Sequence, residues 1–248
     1  MTPSFSIDKT QWQAQANGFW LLSFTLKLLD PTDECKTAND MIGAEYFSEH
    51  RKLDLFAAHS TALGIWQLQF LCAQQNPICT STFTLKWRNI VLPVTADNLL
   101  LLGENLAMAP LFALAKLRQQ NSFAKRTQRN LALLHATQTF PFAVKPARFM
   151  VETTPAEAIG ACTLLEDWKI ANRLSSEQFV AGCAQMTLSE MLESWLSAMC
   201  SIHRHDSDTS ESWQLVLSAS EATSEHCTRL VRELESSANT LKFEITAL

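Results

Sequence analysis

Glycine is scarce in this chain: only 6 stand among 248 residues, against the roughly 7% usual in soluble proteins. Glycine lets a backbone approach a phosphate or take up positive φ, so its scarcity argues against a site built on glycine-rich loops. A basic excess is lacking too, since 20 Lys and Arg face 25 Asp and Glu for a formal net charge of -5. No global positive field draws the chain to nucleic acid or to an anionic membrane surface, and neither is expected as a partner. The opening residues, MTPSFSIDKTQWQAQ, have neither the basic start nor the apolar run of a secretory signal. No uncharged segment is long enough to span a bilayer as a helix, and a cytoplasmic location is expected. The seven cysteines are scattered without a C-x-x-C pair. They read as reduced, mostly buried thiols rather than a zinc or iron-sulfur site.

What is present is a globular composition, 47% hydrophobic and 18% charged, able to bury a real core. Residues 1–95 carry the strand candidates FWLLSFTLKLL, LGIWQLQFLCA and FTLKWRNIVLPV, rich in aromatic and β-branched residues and separated by turn-forming pieces, with no amphipathic helix among them. From Leu99 the pattern alternates. LLLLGE reads as a strand, APLFALAKLRQQ as a helix with Pro110 near its first turn, and NLALLHAT and RFMVE as two further strands. Thr154, Pro155 and Glu157 predict a capped helix start, and QFVAGCA a short strand. Thr187 and Glu190 form a second capping box, ahead of an apolar stripe of Leu188, Met191, Leu192, Trp195, Leu196 and Met199. A strand WQLVLSAS, a helix with Cys227, Leu230, Val231 and Leu234 on one face, and a strand LKFEITAL complete the chain. Strands alternating with helices imply a covered parallel sheet. The expected fold is a β-barrel domain over residues 1–95 and an α/β domain over 96–248, with the boundary near Pro93 to Asp97.

This layout resembles the ferredoxin-NADP reductase-like superfamily, and within it the electron transfer subunit of dihydroorotate dehydrogenase and its bacterial relatives. The stretches that carry the likeness are FPF..KPAR and LLEDW.I..RL within residues 134–176, continued by AGCAQMTLSEMLESWL. The resemblance implies three working loops, and each departs from the family pattern here. The pyridine-nucleotide loop is similar to Gly103, Glu104, Asn105, Leu106, Ala107, Met108, Ala109, Pro110, where Ala107 replaces a glycine and Glu104 brings negative charge to an anion site. The loop that holds Cys-Gly-Pro in the family reads Ser218, Ala219, Ser220, Glu221. The flavin signature, an arginine followed two residues later by an apolar residue and then a hydroxyl, is matched by Arg51, Lys52, Leu53, with Asp54 in the hydroxyl's place. The family's iron-sulfur cysteines would follow the last strand, and the sequence stops at Leu248.

The expectation is therefore a degenerate relative of a flavin-dependent electron transfer subunit, non-catalytic and acting through another protein subunit. The alternative is a flavin-binding oxidoreductase subunit that moves electrons without an iron-sulfur cluster and with impaired NAD(P)H binding. FAD or FMN remains open as a cofactor, an iron-sulfur cluster and NAD(P) are not expected, and Arg51, Lys52, Leu53, Gly103, Asn105 and Pro110 are the vestigial cofactor positions.

Other groups admit sharper and blander readings. His203 and His205 with Asp206 and Asp208 read as a metal site or, preferably, a solvated loop, and no metal is expected. Cys200 with His203 reads as a nucleophilic pair or a buried helix-end thiol, and Cys183 as a cofactor neighbour or a core residue. Lys116, Arg118, Lys125, Arg126 and Arg129 read as a basic patch near a nucleotide phosphate or, preferably, as a solvated face. The seven tryptophans read mostly as core.

Overall fold

The computed structural model describes residues 4–30, 36–75, 83–121, 129–203, 211–237 and 241–248. Six antiparallel strands form the first sheet, β1 (Phe5–Ala14), β2 (Trp20–Leu28), β3 (Glu45–Ser48), β4 (Arg51–Ala62), β5 (Ile65–Cys72) and β6 (Thr84–Lys86), in the order β1-β2-β5-β4-β3-β6. A five-stranded parallel sheet follows, from β7 (Asn98–Glu104), β8 (Arg129–Ala136), β11 (Ala171–Ser176), β12 (Glu211–Ser218) and β13 (Leu241–Ala247), in the order β11-β8-β7-β12-β13. Between β8 and β11 lies a two-residue ladder, β9 (Lys145–Pro146) with β10 (Gly160–Ala161). Among the described residues no helix is long and apolar enough to cross a membrane.

The run Leu99 to Leu102 shows why the second sheet needs helices on both faces. Leu99 and Leu101 belong to one buried cluster and Leu100 and Leu102 to another, because successive side chains of a strand point to opposite faces. Helix α2 (Ala109–Asn121) covers the first face and touches β4 of the other sheet, so its first two turns, Ala109 to Ala115, are apolar and buried all round. The second face is covered by α4 (Leu188–His203) and α5 (Glu221–Ser237), with Trp195 edge-on to Trp213 at 5.0 Å. The expected cap of α4 is present: the Thr187 N–H donates to Glu190 Oε2 at 2.7 Å, and the Glu190 N–H to Thr187 Oγ1 at 3.2 Å.

Several expectations fail. Residues 1–95 do hold a helix, the short α1 (Ala38–Gly43), started by a Thr37 and Asp40 capping box. No helix begins at Thr154; the Thr154 hydroxyl donates to the Val151 carbonyl, and the only helix here is the five-residue α3 (Thr163–Asp167). The physical reason is a close backbone approach: the Gly160 N–H donates to the Gly182 carbonyl at 2.6 Å, and a Cβ at residue 160 would lie 2.8 Å from that oxygen. RFMVE is not a strand, because the N–H groups of Arg148 and Phe149 donate to buried Glu166 Oε1 instead of to a ladder. QFVAGCA is not one either; it turns at Gly182 (φ 85°) and meets β11 only in an isolated pairing of Ala184 with Ser175. The edge strand β11 escaped notice because it is polar yet buried, its Asn172 side chain exchanging hydrogen bonds with the Cys162 backbone at 2.6 and 3.1 Å.

The stretch that carries the family likeness is structural. Arg148 Nε donates to Glu166 Oε2 at 2.9 Å and its Nη2 to Asp167 Oδ1 at 2.7 Å, tying KPAR to LLEDW. Truncating Glu166 to alanine removes the acceptor of three donors on Arg148 and Phe149. This is expected to cost about 2 kcal/mol, read as a fall in the midpoint of urea unfolding with an unchanged slope.

Candidate functional site

The β3-β4 hairpin turns through Glu49 and His50, both at positive φ (51° and 67°), with Ser48 paired to Arg51. This tight turn sets Arg51 to Asp54 along one wall of a cleft of about 300 Å³. Trp12, Leu22, Leu53 and Leu71 line it, and Leu106, from the turn after β7, reaches it from the other half of the chain. Arg51 and Lys52 are exposed, and each lacks an ion-pair or hydrogen-bond partner among the described residues. Burial raises Asp54 to about 6, with Lys52 opposing the shift. Burial, with a contribution from Asp54, also raises the Cys72 thiol to about 11, which keeps it protonated and unreactive at neutral pH. The cleft thus offers two cations, an apolar side made by Trp12, Leu22, Leu53, Leu71 and Leu106, and two acids, Glu49 and Asp54. Those features fit the phosphate and ring of a flavin, while Asp54 has no counterpart in the expected signature.

The other anticipated site lies at the C-terminal edge of the parallel sheet, where ligands of open α/β sheets bind. Here it is filled by the chain itself. Glu104 Oε2 accepts from the Ser220 N–H at 2.9 Å and Oε1 from the Thr223 hydroxyl at 3.0 Å, so a carboxylate sits on the N-terminus of α5 where an anion would be favoured. Asn105, at φ 50°, donates from Nδ2 to Thr137 Oγ1 at 3.1 Å and accepts from the Thr137 N–H at 2.9 Å, joining the turns after β7 and β8. Residues Asn105–Met108 form a 3-10 turn that leads directly into α2, and Pro110 is buried in its first turn.

Gly103 serves packing here. A Cβ there would lie 2.7 Å from Met108 Cβ and 2.8 Å from Leu111 Cδ1. Gly103→Ala is expected to destabilise by about 1 to 3 kcal/mol through overpacking, measured by thermal unfolding, and a neutral result would show that the turn relaxes freely. These residues do not fit a pyridine dinucleotide.

A constellation that the sequence did not advertise lies at the same edge. His135 Nδ1 is 3.1 Å from Ser175 Oγ, and its Nε2 is 3.9 Å from Glu177 Oε1. A serine, a histidine and a carboxylate in a row suggest nucleophilic catalysis, but Ser175 is fully buried and no substrate can reach it. Burial lowers the His135 pKa against the opposing pull of Glu104, Glu177 and Glu190, so the group is a neutral structural link between β8 and β11. Only its placement at successive strand ends could have flagged it.

The remaining candidates resolve as follows. Cys183 is half-buried with its thiol raised to about 11 by burial, the reading of a core residue. Cys200 is half-buried, but the His203 side chain and residues 204–210 lie outside the described residues, so neither the HRH site nor that pair is resolved. Among the described residues no cluster of metal ligands occurs. Lys125 and Arg126 also lie outside the described residues. The solvated-face reading fails for Arg118, which is 2% exposed and donates to Asn130 Oδ1 at 2.7 Å and to the carbonyls of Pro93, Val94 and Ala96. Arg129 pairs with Glu211 and lies over the Trp213 ring, and Lys116 lies over Trp168. Trp66, Trp195 and Trp213 are core, whereas Trp12 lines the cleft.

No family model and no curated protein matches the chain. Solved structures do. A cytochrome P450 reductase from Amycolatopsis shares 11% identity with a TM-score of 0.50, covering all of this chain and 72% of its own. The ferredoxin-NADP+ reductase of Plasmodium falciparum shares 8% identity (TM-score 0.46, 98% of this chain and 95% of its own), and the ferredoxin reductase of carbazole 1,9a-dioxygenase 12% (TM-score 0.46, 98% and 69%). At such identities the likeness speaks to fold alone. The architecture, a six-stranded antiparallel sheet followed by a covered parallel sheet, is the fold that this chain shares with the Amycolatopsis reductase.

Proposed function

We propose that this chain is a degenerate relative of a flavin-dependent electron transfer subunit: a reductase-shaped scaffold that does not draw electrons from NAD(P)H, carries no iron-sulfur cluster and acts through a protein partner in the cytoplasm. The observation that carries this reading is the Glu104 carboxylate seated on the first turn of α5. A dinucleotide pyrophosphate would have to displace a charge already hydrogen-bonded there, and would meet the Asn105 and Thr137 bridge beside it. The acidic balance of the chain supports a protein partner over nucleic acid or membrane.

The second reading, a flavin-binding subunit without nucleotide chemistry, is favoured by one specific feature. Arg51 and Lys52 make no side-chain hydrogen bond or ion pair among the described residues and stand at a partly apolar cleft whose volume suits a mononucleotide-sized group. If flavin binds, these cations hold its phosphate, Trp12 and Leu53 flank its ring, and the flavin supplies the redox chemistry.

The visible absorbance spectrum of the purified protein, before and after incubation with FAD or FMN and desalting, separates the two. Retained stoichiometric flavin selects the second reading, and a colourless protein the first. Both require that NADH and NADPH leave the melting temperature unchanged; a saturable rise would refute the closed edge. Glu104→Ala, by contrast, is expected to gain a thermal response to inorganic pyrophosphate that the wild type lacks.

A further inference from the structure

We propose that Asp54 makes occupancy of the β4 cleft conditional on proton uptake, so that a planar aromatic ligand enters readily when this carboxylate is protonated and poorly when it is ionised. The inference rests on the second reading above, that the cleft takes a flavin-type ring. It concerns a residue that replaces a hydroxyl in the expected flavin signature.

The geometry is that of an acid set into an apolar wall without a donor. Asp54 stands opposite Leu71 in the β4-β5 register, faces a cleft lined by Trp12, Leu22 and Leu53, and has no hydrogen-bond partner among the described residues. The charged or titratable groups facing it are few. On its own strand are Arg51 and Lys52, in the preceding turn Glu49, and on β5 the Cys72 thiol; Trp12 of β1 and Leu106 beyond β7 bring no charge. Lys52 alone opposes the burial of the carboxylate, and Cys72 stays protonated throughout the neutral range.

A ring seated in the cleft removes the water that solvates Asp54. The ionised form then loses hydration and gains no donor from the protein, whereas the neutral acid loses little and can itself donate to a ring acceptor. Binding therefore carries a proton with it, and affinity falls as pH rises through the range in which free Asp54 ionises.

The test is a fluorescence titration of wild type and Asp54→Asn with riboflavin and with FMN. Riboflavin lacks the phosphate, so its pH dependence cannot come from a titrating ligand, and FMN minus riboflavin reports Arg51 and Lys52. Wild-type Kd for riboflavin is expected to rise about fivefold or more between roughly pH 5.5 and 7.5, while the Asp54→Asn value changes less than about twofold. Binding to both proteins with the same pH trend, or wild-type binding that tightens with pH because a ring N–H donates to the carboxylate, overturns the role of Asp54 and leaves the flavin reading standing. Failure of both probes to bind either protein at either pH overturns the flavin reading, and this inference with it.

Discussion

Replacing Arg118 by leucine is expected to lower the unfolding free energy by about 3 kcal/mol and the melting temperature by roughly 6 to 12 °C, measured by circular dichroism on heating. The guanidinium is inserted beneath the segment that joins the two sheets. Its Nη1 donates to the carbonyls of Pro93 and Val94 at 3.3 and 2.8 Å, its Nη2 to Ala96, and its Nε to Asn130 at 2.7 Å. Leucine keeps much of the apolar bulk but strands four acceptors at once, and that loss outweighs the relief of burying no charge. Burial pulls the arginine's pKa down and Asp97 pulls it back. Lysine should recover only part of the loss, since a single ammonium cannot present the planar fork that reaches strand and linker together. A melting temperature within about a degree of wild type would show that water replaces the guanidinium at these carbonyls.

Asp54→Asn is expected to act in the opposite direction, and only above acid pH. The carboxyl is raised to about 6 in the folded protein by burial, whereas in the unfolded chain it titrates near 3.9. Because the folded pKa is the higher one, the unfolded state gives up its proton first. The stability this residue contributes is fully present below about pH 4, is lost as pH rises toward 6, and stays lost above it. Asparagine has no such titration. The variant should match wild type near pH 4 and exceed it by about 2 to 3 kcal/mol near pH 8, a difference read from urea midpoints at the two pH values. A gain of equal size at both would assign the effect to packing rather than ionisation.

Some parts of this structure are legible in the sequence because local rules and tertiary packing agree in them. The cap and stripe of α4 are one such part, and the leucine run of β7 is another. Residues 141–186 are not legible for the converse reason. Their backbone is held by Glu166, Asn172 and the Gly160–Gly182 contact, which are long-range and have no periodicity to read. A capping pattern at Thr154 therefore predicts a helix that a close backbone approach forbids. The cleft was half legible. Arg51 to Leu53 could be matched to a short signature, but Trp12, Cys72 and Leu106 come to it from distant positions. Arg118 was misread because a cation near a helix C-terminus looks solvated until the carbonyls around it are known. At the sheet edge Gly103 is packed against Met108 and Leu111, Asn105 is hydrogen-bonded to Thr137, and Pro110 lies in the first turn of α2.

The position of α2 bears on how the molecule comes apart. One side of this helix belongs to the parallel sheet and the other reaches β4, with Phe112 5.4 Å from the Phe56 ring. Neither half of the chain can shed its partner without exposing an apolar face of a helix that cannot be soluble on its own. Calorimetry should therefore give a single transition whose van't Hoff and calorimetric enthalpies agree, and a fragment ending at residue 95 should aggregate when expressed alone. The cleft takes its lining from the first sheet and its turns, with Leu106 alone reaching it from beyond β7. A ligand there would therefore report mainly on the first half of the chain, and a substitution beyond residue 106 should reach it only through that leucine.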